Sequence, residues 1–236
     1  MSNYGLTDIG KRRPQNQDSF AIASDDDVTM AIVCDGIGGH QAGDVASKTT
    51  CNVFVSYFRS HYDSNPEQWF RQALKKANNE VYTLARSSAS LKGMGTTVVA
   101  AIKNRDYAYV LNVGDSRCYI LTEDNKFTQI TEDHSLINEL MKKEGISYEQ
   151  AKAMGSHVIT RAVGVWENVE GDIFPVRTKF RYMVLCSDGL HNYVSEENIV
   201  EVLNSELSIA QKCQKLVDMA NEAGGYDNIT MVIIEG

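Results

Sequence analysis

A chain of 236 residues with 43% hydrophobic and 23% charged side chains can bury a core of its own, so neither disulfide nor metal is needed merely to fold it. Lys and Arg number 23 against 31 Asp and Glu, a formal charge of -8, which argues against a nucleic-acid binder whose affinity would rest on neutralising phosphates. Scarce proline and recurrent apolar runs exclude disorder, and no apolar stretch nears the roughly 20 residues of a membrane helix.

The first strand expected covers 19–23, followed by a buried one over 28–34. Two amphipathic helices come next, over 42–60 and 67–88; Trp69, Ala73, Leu74, Ala77, Val81 and Leu84 recur at helical spacing in the second. Strand signals return over 96–102, 107–113, 118–121 and 127–130, then a helical stretch over 134–144. No strong period marks 145–164. A buried strand follows over 182–186, helices over 196–204 and 209–223, a Gly224-Gly225 stop and a β-branched strand over 229–234. Strands and helices come in blocks, without linker or repeat, which favours one α+β domain over 1–236 with antiparallel sheet. The five cysteines, Cys34, Cys51, Cys118, Cys186 and Cys213, are odd in number, lack C-x-x-C spacing and sit mostly in apolar runs. With no signal-peptide pattern at the N-terminus, they read as reduced thiols of a cytoplasmic protein.

The chemistry collects on aspartates at strand ends. Asp35-Gly36 follows Ala-Ile-Val-Cys, and Asp188-Gly189 follows the similar Met-Val-Leu-Cys-Ser. Asp115 follows Tyr-Val-Leu-Asn-Val-Gly, Asp227-Asn228 precedes the last strand, and Asp18 precedes the first. A single Asp-Gly is a turn signal. Recurrence at the mouths of successive strands is different, because converging carboxylates repel and a cation relieves them. Hard oxygen ligands suit Mg²⁺, Mn²⁺ or Ca²⁺; no His/Cys set has zinc spacing, and the scattered aspartates form no EF-hand. A pair of such ions could drive phosphoryl transfer to water, helped by a phosphate-gripping cation and an acid. Arg13, close before Asp18, and His40, ending Asp35-Gly-Ile-Gly-Gly-His, are the candidates, although each alone also reads as a surface residue.

These residues lie in a longer series of motifs: Thr-Asp-Ile-Gly-Lys-Arg-Arg-Pro-Gln-Asn-Gln-Asp at 7–18, Cys-Asp-Gly-Ile-Gly-Gly-His-Gln-Ala-Gly-Asp-Val-Ala-Ser at 34–47 and Gly-Met-Gly-Thr-Thr at 93–97. Val-Gly-Asp-Ser-Arg at 113–117, Glu-Asp-His-Ser-Leu at 132–136 and Ile-Thr-Arg-Ala-Val-Gly at 159–164 continue it. Cys-Ser-Asp-Gly-Leu at 186–190 and Gly-Gly-Tyr-Asp-Asn-Ile-Thr at 224–230 complete it. The chain resembles the metal-dependent Ser/Thr protein phosphatases of the type 2C class, the PPM family, in their compact bacterial form.

The resemblance implies a four-layer α-β-β-α sandwich, two antiparallel sheets flanked by helix pairs, that hydrolyses phosphoserine and phosphothreonine in proteins by water activated between two Mn²⁺ or Mg²⁺ ions, without a phosphoenzyme. It implies that Asp35 bridges the two core ions, that the Gly36 carbonyl binds one and that Asp188 and Asp227 hold the other. Asp18 would act through metal-bound water, and Asp115 with Asp188 would hold a weaker third ion. Arg13 would grip phosphate and His40 would be the general acid. Expected partners are phosphorylated proteins, including a Ser/Thr kinase, with no nucleic acid or membrane and a monomer as the default.

Three positions depart from the family pattern. Gln17 stands where many relatives have a glutamate, which removes a negative charge from the metal shell. His191 replaces a small polar residue and reads as a surface loop residue or a substrate contact. The flap stretch, 145–157 and at its widest 145–164, lacks the family's His-Pro. A pseudophosphatase that binds phosphoproteins is the alternative, against which all core aspartates are retained; a two-metal phosphodiesterase is disfavoured by the acidic balance.

Overall fold

The computed structural model describes residues 2–25, 27–38, 42–62, 65–145, 147, 150 and 158–236. Its strands are β1 Asn3–Asp8, β2 Ser19–Asp25, β3 Val28–Cys34, β4 Gly36–Ile37, β5 Gly95–Thr96, β6 Val98–Lys103, β7 Ala108–Val113, β8 Arg117–Leu121, β9 Phe127–Gln129, β10 Asp172–Val176, β11 Tyr182–Cys186 and β12 Ile229–Glu235. Its helices are α1 Ala42–His61, α2 Pro66–Ser87, α3 Leu136–Glu144, α4 Asp188–His191, α5 Glu196–Asn204 and α6 Ile209–Glu222. One sheet runs β1-β12-β11-β8-β9 and the other β10-β7-β6-β3-β2, with β4 and β5 forming a small ribbon. Every pairing is antiparallel.

The central strands are continuous apolar runs because both of their faces are covered. On β3, Ala31 and Val33 face the opposite sheet, while Met30, Ile32 and Cys34 join the layer beneath α1 and α2. On β12, Val232 and Ile234 face inward, while Met231 and Ile233 pack under α5 and α6. Four layers, α-β-β-α, follow from that alternation, as expected. The helices start at sequence signals: Asn65 Oδ1 accepts from the Gln68 amide ahead of Pro66, and Ser208 with Gln211 forms a capping box on α6.

The structure adds two edge strands that the sequence pattern did not announce. The first, β1, contains a glycine and alternates irregularly between exposed and half-buried positions; β10 carries Pro175, which is tolerated because it lies on an edge. The helix expected from 134 begins at Leu136, because Ser135 caps it and His134 turns inward.

The layer under α1 and α2 centres on Trp69, 1% exposed and ringed by Phe54, Phe58, Tyr62 and Phe70 at centroid distances of 5.5–6.1 Å. Trp69→Ala is expected to cost about 3–5 kcal/mol. Urea unfolding checks this as a lower midpoint at unchanged slope.

Candidate metal centre

Antiparallel pairing sets the start of one strand beside the end of the next, and this gathers residues distant in sequence. Ser19 pairs with Cys34, so Asp18 and Asp35 stand side by side; Cys186 pairs with Met231, which brings Asp188 to the Asp227 loop. Asp115 sits in the turn between β7 and β8 at the same end of the sandwich. Five carboxylates from both sheets meet there. Asp35 is held by its backbone: its amide donates to Thr97 Oγ1 at 2.9 Å, and its carbonyl accepts from the Thr97 amide at 2.9 Å and from Thr96 Oγ1 at 2.8 Å.

The electrostatics record the crowding. Burial, then the carboxylates of Asp18, Asp188, Asp115 and Asp227, hold the Asp35 carboxyl well above the usual range. Asp18, 5% exposed, is pushed up to about 7, first by burial and further by Asp188 and Asp227, against the lowering effect of hydrogen bonds from Ser187 and Thr230. Ser187 Oγ donates to Asp18 Oδ2 at 2.7 Å. Asp115 is pushed up to about 7 by burial and then by Asp188 and Asp133. Its Oδ1 is buried and has no hydrogen-bond partner among the described residues. Such an oxygen, in a cleft of mutually repelling carboxylates, fits a cation. Among the described residues no three carboxylate, imidazole or thiol side chains close into a cage by themselves. Spaced, hard oxygen donors of this kind suit an octahedral Mg²⁺ or Mn²⁺ that keeps several of its waters.

Backbone fits the same purpose at Gly36. A Cβ there would lie 2.3 Å from the Gly43 carbonyl oxygen and 2.5 Å from that of Gln17, so only glycine permits three chain segments to meet behind Asp35. The Gln17 side chain turns to the Gly38 carbonyl at 3.5 Å. At the rim, Arg13 Nη2 donates to Asp227 Oδ2 at 2.7 Å with its side chain 51% exposed. Its guanidinium is held charged first by that hydrogen bond and then by the charges of Asp227, Asp188 and Asp35.

Asp18, Asp35, Gly36, Asp115, Asp188, Asp227 and Arg13 lie together at one end of the sandwich. His40 lies outside the described residues, and so does most of the flap, at 146, 148–149 and 151–157. His191 is half-buried, and its Nε2 donates to the Asp115 carbonyl at 3.1 Å.

Several supporting residues escaped the sequence reading. Asn228 donates to the Ile9 and Gln15 carbonyls at 2.9 and 3.0 Å and accepts from the Gln17 amide at 2.8 Å, tying the loop that carries Arg13 and Asp18 to the start of β12. His134 is buried; its Nδ1 accepts from the Gly114 amide at 3.1 Å, so Nε2 carries the proton given to Asp172 at 3.0 Å. This fixes the turn that presents Asp115. The available signal was a hydroxyl or amide inside or against an apolar run, as at Thr97, Ser187, Asn228 and Thr230.

The family model for protein phosphatase 2C matches residues 10–223. A serine/threonine phosphatase stp of Listeria welshimeri is 38% identical over 97% of this chain and 93% of its own length. The crystal structure of the serine/threonine phosphatase Stp1 from Staphylococcus aureus superposes with a TM-score of 0.89 at 33% identity, covering 99% of this chain and 95% of that one. The catalytic domain of the serine/threonine protein phosphatase PstP, in complex with 2 manganese ions, superposes with a TM-score of 0.85 at 29% identity, covering 99% and 97%.

The raised carboxyls set a pH dependence. In the metal-free folded chain Asp18 and Asp115 keep their protons up to about 7, whereas the ordinary value is 3.8. The folded state thus binds more protons between these values, and their contribution to stability falls as pH rises through that window. Melting with EDTA should give a lower Tm at pH 8 than at pH 6, and Mn²⁺ should raise Tm more at pH 8. An equal Mn²⁺ effect at both pH values would contradict the carboxylate cluster as the cation site.

Proposed function

The chain belongs to the protein phosphatase 2C family, and on that premise we propose how its own residues carry out the family's reaction. It is a Mn²⁺-dependent protein phosphatase acting on phosphoserine and phosphothreonine. The convergence of five carboxylates beside an arginine carries the assignment of roles. We propose that Asp35, the Gly36 carbonyl, Asp188 and Asp227 would hold two core ions. Asp115 with Asp188 is proposed to take a weaker third ion. When bound, the ions supply Lewis-acid activation of a water and neutralise charge as the phosphoryl group is transferred to it.

The protein's own groups do the rest. Asp18, buried and bonded to Ser187, acts from behind as an acceptor that orients the waters of the cleft. Arg13 carries five N–H donors, so it can hold phosphate oxygens while one of them stays tethered to Asp227. His40 is proposed to protonate the departing Ser or Thr oxygen. Because Asp35, Asp188 and Asp227 are all present, turnover is favoured over mere phosphoprotein binding.

We further infer that a Ser/Thr kinase is among the substrates, and that the whole chain acts as one catalytic domain, monomeric and cytoplasmic. The charge of -8 and the five buried free cysteines support this setting, and no described helix is long and apolar enough to cross a membrane.

Phosphate release from a phosphothreonine peptide should require Mn²⁺ or Mg²⁺ and stop with EDTA. Asp188→Ala is expected to lower kcat by about 10²–10³-fold or more, the scale of losing one preorganised charge stabiliser. Near-wild-type turnover by that variant would overturn the metal assignment. Arg13→Ala should raise KM roughly tenfold with a smaller effect on kcat, as for a group that binds substrate and transition state alike.

A further inference from the structure

Beside the phosphate-gripping arginine lies a half-exposed aromatic surface that the hydrolytic chemistry does not use. Tyr226, immediately before Asp227, is 51% exposed. Its position is fixed from three sides. The ring folds back over Gly224, where a Cβ would come within 2.2 Å of it and where φ is +131°. The ring of Tyr193 lies against it with centroids 5.6 Å apart and planes 32° apart. The Arg12 guanidinium sits over it, 5.8 Å from the centroid.

Two backbone hydrogen bonds hold this arrangement in register with the metal centre. The amides of Lys11 and Arg12 both donate to the Gly225 carbonyl, at 2.8 and 3.0 Å. At Gly10, φ is +76° and a Cβ would lie 2.2 Å from the Asp227 carbonyl oxygen, so the two loops touch along their length. Tyr193 approaches the cluster from the other side, since after burial it is the carboxylates of Asp188 and Asp227 that raise its hydroxyl pKa. The platform is therefore part of the rim of the cleft.

The charge on this rim is opposite to that of the cleft floor. Lys11, Arg12 and Arg13 are consecutive and exposed. Arg13 has Asp227, whereas among the described residues no ion pair is found for Lys11 or Arg12. Screening over roughly 8–10 Å at ordinary ionic strength lets a side chain bound at this rim feel these cations, while cations held in the cleft would offset the carboxylates of its floor. Exposed and held over the Tyr226 ring, the Arg12 guanidinium has N–H donors with which it can bind a carboxylate.

We infer that Arg12, mounted on Tyr226, binds an acidic side chain that flanks the phosphorylated residue, so that the enzyme prefers phosphopeptides with Asp or Glu beside the phosphothreonine. The inference rests on the phosphatase reading of the adjoining site and specifies its substrate class.

The test compares three phosphothreonine peptides that differ only in carrying Glu, Ala or Lys on both sides of the phosphothreonine. Wild-type protein with Mn²⁺ should favour Glu over Ala by roughly three- to fivefold in kcat/KM, carried by KM, with Lys poorest, as expected for exposed charge pairs. The preference should shrink as salt is raised. Arg12→Ala should bring the Glu-to-Ala ratio to about one, and Tyr226→Leu, which removes the aromatic face, should lower it. Arg12→Glu should invert the order so that the Lys peptide is preferred, an outcome that misfolding cannot produce. Equal efficiency of wild-type protein on all three peptides, or an unchanged Glu preference in Arg12→Glu, would overturn the inference while leaving the phosphatase reading intact. Release from none of the peptides would overturn both.

Discussion

Like charges brought together in a cleft repel, and the rest of this molecule is arranged so that five carboxylates stay together regardless. Burial and mutual repulsion raise the carboxyls of Asp18, Asp35 and Asp115, so the cluster opposes folding unless cations or protons neutralise it. The scaffold that bears this load is apolar and layered. Three clusters of buried side chains, one between the sheets and one beneath each helix pair, anchor the strands whose ends carry the charges. Hydroxyls supply the local compensation: Ser187 bonds Asp18, and Thr97 and Thr96 hold Asp35 through its backbone. Preorganisation of this kind is what lets a cleft meet an ion pair and a phosphate without rearranging.

A second constraint is that the sheets are joined across the site. The segment between β1 and β2 passes from the edge of one sheet to the edge of the other and carries Arg13, Gln17 and Asp18 on the way. Asn228 binds three backbone groups of that segment, and Gly10 and Gly225 allow it to lie against the loop before β12. Arg13 and Asp227, more than two hundred positions apart, meet at 2.7 Å as a result. The turn bearing Asp115 is fixed in the same manner by groups remote from it, the His134 ring on one side and the His191 ring on the other. The carboxylates and the arginine of the cleft are thus held by loops, and the loops by polar side chains that reach across from distant parts of the chain.

Legibility in the sequence followed the physics of burial. β3, β6, β11 and β12 read clearly because a strand covered on both faces is apolar throughout, and α1 and α2 because one covered face gives a helical period. β1 and β10 did not, since an edge strand with one open side tolerates Gly5 and Pro175 and has no clean alternation. The local pattern looks helical from His134, but bonds from its ring to Asp172 and the Gly114 amide set it outside the helix. His191 was open between surface and substrate because nothing local marks a side chain whose partner is a carbonyl 76 positions away.

The sequence by itself determined hard oxygen donors at strand mouths, an arginine close to one of them in the chain and an α+β class with antiparallel sheet, while the four layers and the phosphatase chemistry were what the family resemblance implied. The former are local properties, composition and period, and they survive without coordinates. Only the tertiary structure decided which groups meet and in what state. Pairing Ser19 with Cys34 and Cys186 with Met231 created the crowding that raises the carboxyls, and folding of two distant loops upon each other placed Arg12 on Tyr226. Coulomb energy and desolvation depend on distance and burial, which a linear order of residues does not contain.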